Sequence, residues 1–391
     1  MLSWIAENYE DFLTFKKSLY RDENELPYFK SLAHGNYPRY RDISGQKVVN
    51  LSAYDYLGLN ENSHVRNAAK KSIEKYGIST AASRVVSGQF DIHSALENKI
   101  ATFTGMESSV SFVSGHATNV TTISHLFGKG HIIICDQYAH NSIELGALSS
   151  GARMLRFHHN NLEKLENILR KFEDQKMVVC IEGLYSMDGD IPPIKDIIDL
   201  KHKYGFALYV DDSHGLGTMG QTGRGICEEA GINPSEIDVL MGTLSKSLGS
   251  CGGFIAGSLE LIEYLKFTSP GFIFSTGLPA PLVAAALASL EILDKNPFMV
   301  QELRDKSSYL ASKLDKTRNT DSPIISIPVD FQHCYEVART CQENGVRVFP
   351  VTYPAVSKNK SRIRLFVSRL HTYEDLDFAA ETIQNMLYRI Q

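Results

Sequence analysis

Two side chains stand in settings that suit them to chemistry rather than to a solvated surface. Asp211 lies in Tyr209-Val210-Asp211-Asp212-Ser213-His214-Gly215, and Lys246 follows about 35 residues later in Thr243-Leu244-Ser245-Lys246-Ser247-Leu248-Gly249. The apolar stretch from Phe206 to Val210 has the length of a buried strand and runs straight into the acid. A parallel strand would therefore present Asp211 at its carboxyl end, where α/β folds bind ligands. There a carboxylate can keep a pyridine nitrogen protonated, and the lysine amine can carry an aldehyde as a Schiff base. An acid and an amine so placed are what pyridoxal 5'-phosphate (PLP) chemistry requires, because the protonated ring acts as an electron sink.

The same region offers a competing pattern. Gly215-Leu216-Gly217-Thr218-Met219-Gly220 matches the G-x-G-x-x-G turn of a dinucleotide site, with Asp238 near the place of a ribose-binding acid. That reading implies an NAD-dependent dehydrogenase. Against it, Asp-Asp-Ser-His separates the strand from the glycines, and Thr222-Gly223-Arg224-Gly225 makes a poor start for a phosphate-binding helix.

Around these residues the chain reads as an ordinary globular protein of 391 residues, 43% hydrophobic and 22% charged, long enough for a large domain and a smaller one. A net charge of -5 without a basic stripe argues against a nucleic-acid partner. No apolar run approaches about 18 residues, so no stable membrane insertion is expected. The N-terminus lacks a basic n-region and cleavage site, which points to a cytoplasmic enzyme. The six cysteines form no C-x-x-C pair, so no metal site or disulfide framework is indicated. Cys251, five residues past Lys246, is expected to serve packing.

The pattern predicts an α/β fold with a mainly parallel central sheet and a smaller α+β C-terminal domain. Ile132 to Asp136, Met177 to Ile181, Ala207 to Val210, Val239 to Met241 and Phe254 to Ala256 are continuous apolar runs, as strands covered on both faces require. Leu162 to Leu169 and Ile194 to Leu200 carry helical spacing. A long helix from Met299 to Lys316 leads to strands at Ile324 to Val329, Val346 to Phe349 and Ile363 to Val367. A terminal helix opened by Thr372 keeps Leu376, Ala379, Ala380, Ile383 and Leu387 on one face. The expected division is an N-terminal segment 1–48, a cofactor-binding domain 49–286 and a small domain 287–391. An amphipathic arm is expected at 3–17, with Trp4, Ile5, Phe12, Leu13 and Phe15 turned to one side.

A series of motifs then resembles the α-oxoamine synthase family of PLP enzymes along nearly the whole chain. They are Tyr56-Leu57-Gly58-Leu59, Ser83-Arg84-Val85-Val86-Ser87-Gly88, His93-Ser94-Ala95-Leu96-Glu97, Ser114-Gly115-His116-Ala117-Thr118-Asn119, Glu182-Gly183-Leu184-Tyr185-Ser186-Met187-Asp188-Gly189-Asp190, the Asp-Asp-Ser-His and Thr-Leu-Ser-Lys blocks, and Ser275-Thr276-Gly277. The resemblance implies a fold type I PLP-dependent transferase, similar to the aspartate aminotransferase fold, working as a homodimer with active sites shared at the interface. It implies that Lys246 binds the cofactor and removes the substrate α-proton, that Asp211 pairs with the ring nitrogen, that His214 bonds the phenolic oxygen and that His140 lies on the ring face. It further implies that Gly115 and His116 N–H groups, with Thr243 and Ser245, hold the phosphate, and that Ser275 and Thr276 reach in from the other subunit. Glu182 and Ser186 match positions near the ring. Arg364 matches the clamp for the amino-acid carboxylate. Arg362, two residues away on the same strand face, is an equal candidate by alternation, so the choice rests on the motif.

The resemblance also implies a decarboxylative Claisen-type condensation of an α-amino acid with an acyl thioester, giving an α-aminoketone. Ser83 and Val85 stand where glycine-specific relatives carry threonine and asparagine, and Tyr54 is similar to the tyrosine of serine palmitoyltransferases. Serine or alanine is therefore expected ahead of glycine. The acyl donor, coenzyme A or a carrier protein, leaves no mark in the sequence, and His116 departs from the aromatic residue of many relatives. An aminotransferase or decarboxylase would share Asp211 and Lys246 without needing the Glu182 to Asp190 run, and a silent binding subunit would have lost the lysine.

Overall fold

Strands β1 (Arg39–Arg41) and β2 (Lys47–Asn50) open the computed structural model, which describes residues 13, 32, 35, 37–42, 44–315, 322–353, 356 and 358–390. Apart from Leu13, the arm expected at 3–17 lies outside the described residues. The centre is a seven-stranded sheet built from β3 (Ser108–Phe112), β4 (His131–Asp136), β5 (Arg153–Phe157), β6 (Lys176–Glu182), β7 (Ala207–Asp211), β8 (Val239–Thr243) and β9 (Gly253–Gly257). Their order is β3-β9-β8-β7-β6-β4-β5, and only β9 runs antiparallel to its neighbours.

Side-chain alternation explains why the inner strands are apolar throughout. Ile132, Ile134, Val179, Ile181, Leu208 and Val210 join one buried cluster, whereas Ile133, Cys135, Val178, Cys180 and Tyr209 join another. Each face needs its own apolar set because helices cover both. The five strands expected from apolar runs all form. The sequence reading missed β3 and β5, the two sheet edges, where Ser108, Ser109, Ser111, Arg153 and Arg156 break the apolar pattern. Edge strands tolerate and profit from such polar residues.

Local sequence sets the helix ends. The Leu162–Lys171 helix starts at Asn161, whose side chain accepts from Lys164 N–H at 2.9 Å, and buries Leu165 and Leu169. The terminal helix, Tyr373–Ile390, is opened by reciprocal bonds between Thr372 and Asp375, 2.9 and 3.2 Å long. Leu376, Ala379, Ala380 and Ile383 are buried along it, and Leu387 packs against the same core.

Two small sheets flank the large one. β10 (Ile324–Pro328), β12 (Phe349–Val351) and β13 (Arg362–Phe366) form an antiparallel sheet ordered β10-β13-β12. β11 (Val346–Arg347) instead pairs with β2, which also pairs with β1. The single strand expected over Val346 to Phe349 is thus divided at Val348, its two halves serving different sheets. The helix Ala280–Lys295 runs across the expected domain boundary at 286/287, and the long helix following it spans Phe298–Leu314.

Candidate active site

The carboxyl ends of β6 and β7 bring Glu182 and Asp211 side by side as register partners, both nearly inaccessible to solvent. Asp211 Oδ2 accepts from Asn119 Nδ2 at 2.7 Å, and its Oδ1 accepts from Ser213 N–H at 3.0 Å. Asn119 is held in turn by Tyr209 OH at 2.7 Å and reaches Ser142 Oγ at 2.9 Å, which lies 2.7 Å from His140 Nδ1. One hydrogen-bonded chain therefore orients the acid and the histidine. Asn119 and Ser142 were missed as functional residues. Asn119 lies one helical turn past Gly115 on the Gly115–Leu126 helix, and that spacing was the signal that could have found it.

These groups surround a cavity of about 280 Å³ lined by Gly115, His116, Asn119, His140, Glu182, Asp211, His214, Thr243, Ser245 and Lys246 among others. Lys246 is half-buried on the turn after β8, and loss of solvent lowers its ammonium below the ordinary lysine value. Asp211 and Glu182 oppose that shift, while Arg364 adds to it. Burial pushes the Glu182 carboxyl up, and the neighbouring Asp211 charge pushes it further. Glu182 Oε2 accepts from Ser186 N–H at 3.1 Å, but Oε1 is buried without a partner. Burial holds His214 neutral, well below the usual imidazole range, and its Nδ1 lies 2.7 Å from the hydroxyl of the fully buried Tyr56.

The two arginines separate clearly. Arg362 forms an ion pair with Asp188 and donates to the Lys360 carbonyl. Arg364 has no acidic partner among the described residues. It donates to the Ser186 carbonyl at 2.8 Å, stacks its guanidinium 4.8 Å from the Phe366 ring centre, and leaves Nε buried without an acceptor. Tyr54 packs edge-on to Phe366 at 4.7 Å, with Lys246 Nζ 6.0 Å from its ring centre. Cys251 is exposed and lines the cavity, so it borders the site rather than filling the core as expected; the other five cysteines are buried.

Six expected residues are not part of this cavity's lining: Tyr54, Ser186 and Arg364, whose contacts are given above, and Ser83, Ser275 and Thr276. Ser83 and Thr276 form an isolated bridge with each other, and Ser275 precedes it; none lines the cavity. Next to them in the chain, Val86 and Phe274 are 80% and 86% exposed, and Val85 is also exposed.

The glycine run at 215–220 is no dinucleotide turn. It forms turns and no helix, and a Cβ at Gly215 would fall 1.9 Å from Asp212 Oδ1. Asp238 sits at the opposite end of the sheet, bonded to Leu208 N–H at 2.6 Å and paired with Lys201 at 2.7 Å.

The cavity fits PLP. It offers a buried acid on its floor, an amine with a depressed proton affinity, and a helix beginning at Gly115, whose approach to Thr243 is so close that a Cβ would fall 2.9 Å from Oγ1. Thr243 and Ser245 hydroxyls, 2.8 Å apart, stand at the same end, where a helix N-terminus favours an anion.

This fold and this acid-lysine pair define a fold type I PLP enzyme, and residues 46–383 match the aminotransferase class I and II family, to which the chain belongs. Within that family it is a PLP-dependent acyltransferase of the α-oxoamine synthase type. It is 37% identical over 352 residues to 8-amino-7-oxononanoate synthase of Thermoanaerobacter pseudethanolicus, covering 88% of this chain and 89% of that one. It is 36% identical over 363 residues to long chain base biosynthesis protein 2b of Oryza sativa subsp. japonica, covering 87% and 73%. Serine palmitoyltransferase of Sphingomonas wittichii superposes with a TM-score of 0.93 at 28% identity, covering 98% of each chain. Among the described residues no helix is long and apolar enough to cross a membrane.

Proposed function

We propose that this enzyme condenses a small L-amino acid, serine or alanine ahead of glycine, with an acyl thioester, releasing carbon dioxide and the free thiol and leaving an α-aminoketone. The observation that carries the reading is Arg364, a guanidinium without an acidic partner among the described residues, with its Nε buried and lacking an acceptor and its charge felt by Lys246. A fork of donors beside an amine suits an amino-acid carboxylate.

Bound PLP would supply an electron sink that stabilises a carbanion at the substrate α-carbon. Lys246 would hold the cofactor, and its lowered proton affinity suits it to take the substrate α-proton near neutral pH. Asp211 would keep the ring nitrogen protonated, His214 would donate to the phenolic oxygen and His140 would cover the ring face. Gly115 and His116 N–H groups with the Thr243 and Ser245 hydroxyls would hold the phosphate. Glu182 and Ser186 stand beside the ring. Arg364 and Tyr54 orient the substrate carboxylate.

The chain acts as a homodimer in this reading, with Ser83, Ser275 and Thr276 completing the partner's site. The exposed apolar side chains of Val85, Val86 and Phe274, flanking the Ser83–Thr276 bridge in the chain, support it. Residues 49–286 then form the cofactor-binding part and 287–391 the smaller part, the two also joined where Val49 and Asn50 of β2 pair with β11.

The test is a matrix of amino acids and acyl thioesters, on coenzyme A and on carrier protein, read by product mass. Serine or alanine with one thioester class should give an aminoketone with loss of carbon dioxide. Borohydride should fix pyridoxyl mass on Lys246 and none in Lys246→Ala. A transaminated keto acid, or glycine as the best substrate, refutes the respective part of the reading.

A further inference from the structure

His159 lies outside the cavity, yet it ties together the two segments that frame it. Its Nδ1 is 2.8 Å from Asp136 Oδ1 and its Nε2 is 2.8 Å from Asp190 Oδ2. Carboxylates on both ring nitrogens require both to donate, which makes the ring an imidazolium. Although burial opposes the charge, the two acids push its pKa up to about 10. The ring is wedged between Tyr138, stacked at 4.4 Å, and Tyr185, edge-on at 4.4 Å. Asn160 adds its N–H to Asp136 Oδ2 at 3.0 Å and its amide to Asp190 Oδ2 at 2.8 Å.

Each arm of this knot leads to a residue of the site. Asp136 also accepts from Tyr138 N–H at 2.7 Å, fixing the short segment that ends in His140. Asp190 accepts Tyr185 N–H on its carbonyl at 2.9 Å, closing the loop whose next residue, Ser186, offers its carbonyl to Arg364. Lys360, just ahead of β13, bonds Tyr138 OH and covers its ring at 4.7 Å. The small sheet that carries Arg364 is thus tied to the segment that carries His140 through the ring stacked on His159.

Resting on the function proposed above, we propose that His159 is a positioning residue, locking the His140 segment and the Arg364-holding loop in one geometry so that the amino-acid substrate meets both. Such supports around contact residues govern affinity and rate without touching substrate.

The test uses the cofactor-loaded enzyme carrying His159→Gln, which can serve one carboxylate but not both, and Lys360→Met, which cuts the link to the small sheet from a half-buried position. The KM for the amino acid should rise about tenfold in the first and about threefold in the second, with the KM for the thioester unchanged. In cofactor-free protein, nitrogen NMR should show both His159 ring nitrogens protonated through pH 8, facing Asp136, Asp190, Tyr138 and Tyr185. A His159→Gln enzyme that binds cofactor with unaltered amino-acid KM overturns the proposal. So does a ring that loses its proton below pH 8. Should His159→Gln not fold, unaltered KM in Lys360→Met overturns it instead. Absence of pyridoxyl mass on Lys246 would strike the proposed function, leaving the NMR result to judge His159 alone.

Discussion

Glu182 and Asp211 occupy paired positions on adjacent parallel strands, so two carboxyl groups meet at the floor of one cavity. Asp211 receives a donor on each oxygen, whereas Glu182 receives one and leaves the other oxygen bare. Burial and then the Asp211 charge raise Glu182 to about 8, so Glu182 is the neutral acid of the pair near pH 7, and the proposed function leaves Asp211 to face the ring nitrogen. Replacing a neutral acid by an amide changes little. Glu182→Gln should therefore keep cofactor and hold kcat within about threefold, while Asp211→Asn should lose about 100-fold or more because the ring nitrogen loses its counter-ion. Steady-state rates at matched cofactor occupancy decide it; equal losses in the two variants would show that Glu182 works as an anion.

The arginines of β13 allow a cleaner contrast. Arg364→Lys keeps a positive charge but loses the fork, so the amino-acid KM should rise about tenfold or more. Arg362→Lys acts on the pair with Asp188, a tie between β13 and the Glu182 loop. It should lower the thermal midpoint and leave the amino-acid KM within about threefold. Reversal of the two phenotypes would assign the carboxylate to Arg362.

How far the sequence foretold this site depends on what each residue leans on. Asp211 and Lys246 were legible because a buried apolar run ending in acid, and a lysine among small residues, are local patterns. The inner strands were legible for the same reason, as each alternates between two apolar clusters. β3 and β5 were not, because edge strands carry polar residues, and the break at Val348 was not, because it is set by which sheet each half joins. The choice between Arg362 and Arg364 could not be made by alternation, since it depends on Asp188, which is 174 residues away in the chain. His159 owes its part wholly to acids elsewhere in the chain, Asp136 and Asp190. Contacts of that kind have no local signature.

Tyr56 shows the same dependence and yields a third test. Its hydroxyl meets His214 Nδ1 at 2.7 Å in a fully buried setting, and burial keeps that imidazole neutral. A tyrosine O–H donating to Nδ1 leaves Nε2 as the protonated nitrogen, which gives His214 a hydrogen to donate toward the cavity. Tyr56→Phe removes the donor and frees the tautomer. The expected result is a kcat lower by about tenfold with folding intact, and nitrogen NMR of His214 in mixed tautomers. A single unchanged tautomer in Tyr56→Phe would dismiss this role.

Asp212, next to Asp211 yet outside the cavity lining, carries a cost that can be measured. It is 3% exposed, accepts from Ile226 N–H at 2.9 Å through Oδ2, and leaves Oδ1 without a partner. Burial, with a smaller push from Asp211, raises its pKa from 3.8 to about 8. Between those values the unfolded chain has released this proton and the folded chain has kept it, so rising pH favours unfolding. The penalty is absent below about pH 4, grows through the window and levels off above pH 8. Asp212→Asn cannot titrate and mimics the protonated acid. Its stability should match the parent near pH 4 and exceed it by about 1 to 3 kcal/mol at pH 8, after discounting for relaxation around the buried group. Denaturant unfolding of the cofactor-free pair across this range isolates the effect, because all other titrating groups are common to both proteins. A stability difference that does not change with pH would mean that Asp212 is ionised in the folded protein and that the glycines around it accommodate a charge instead.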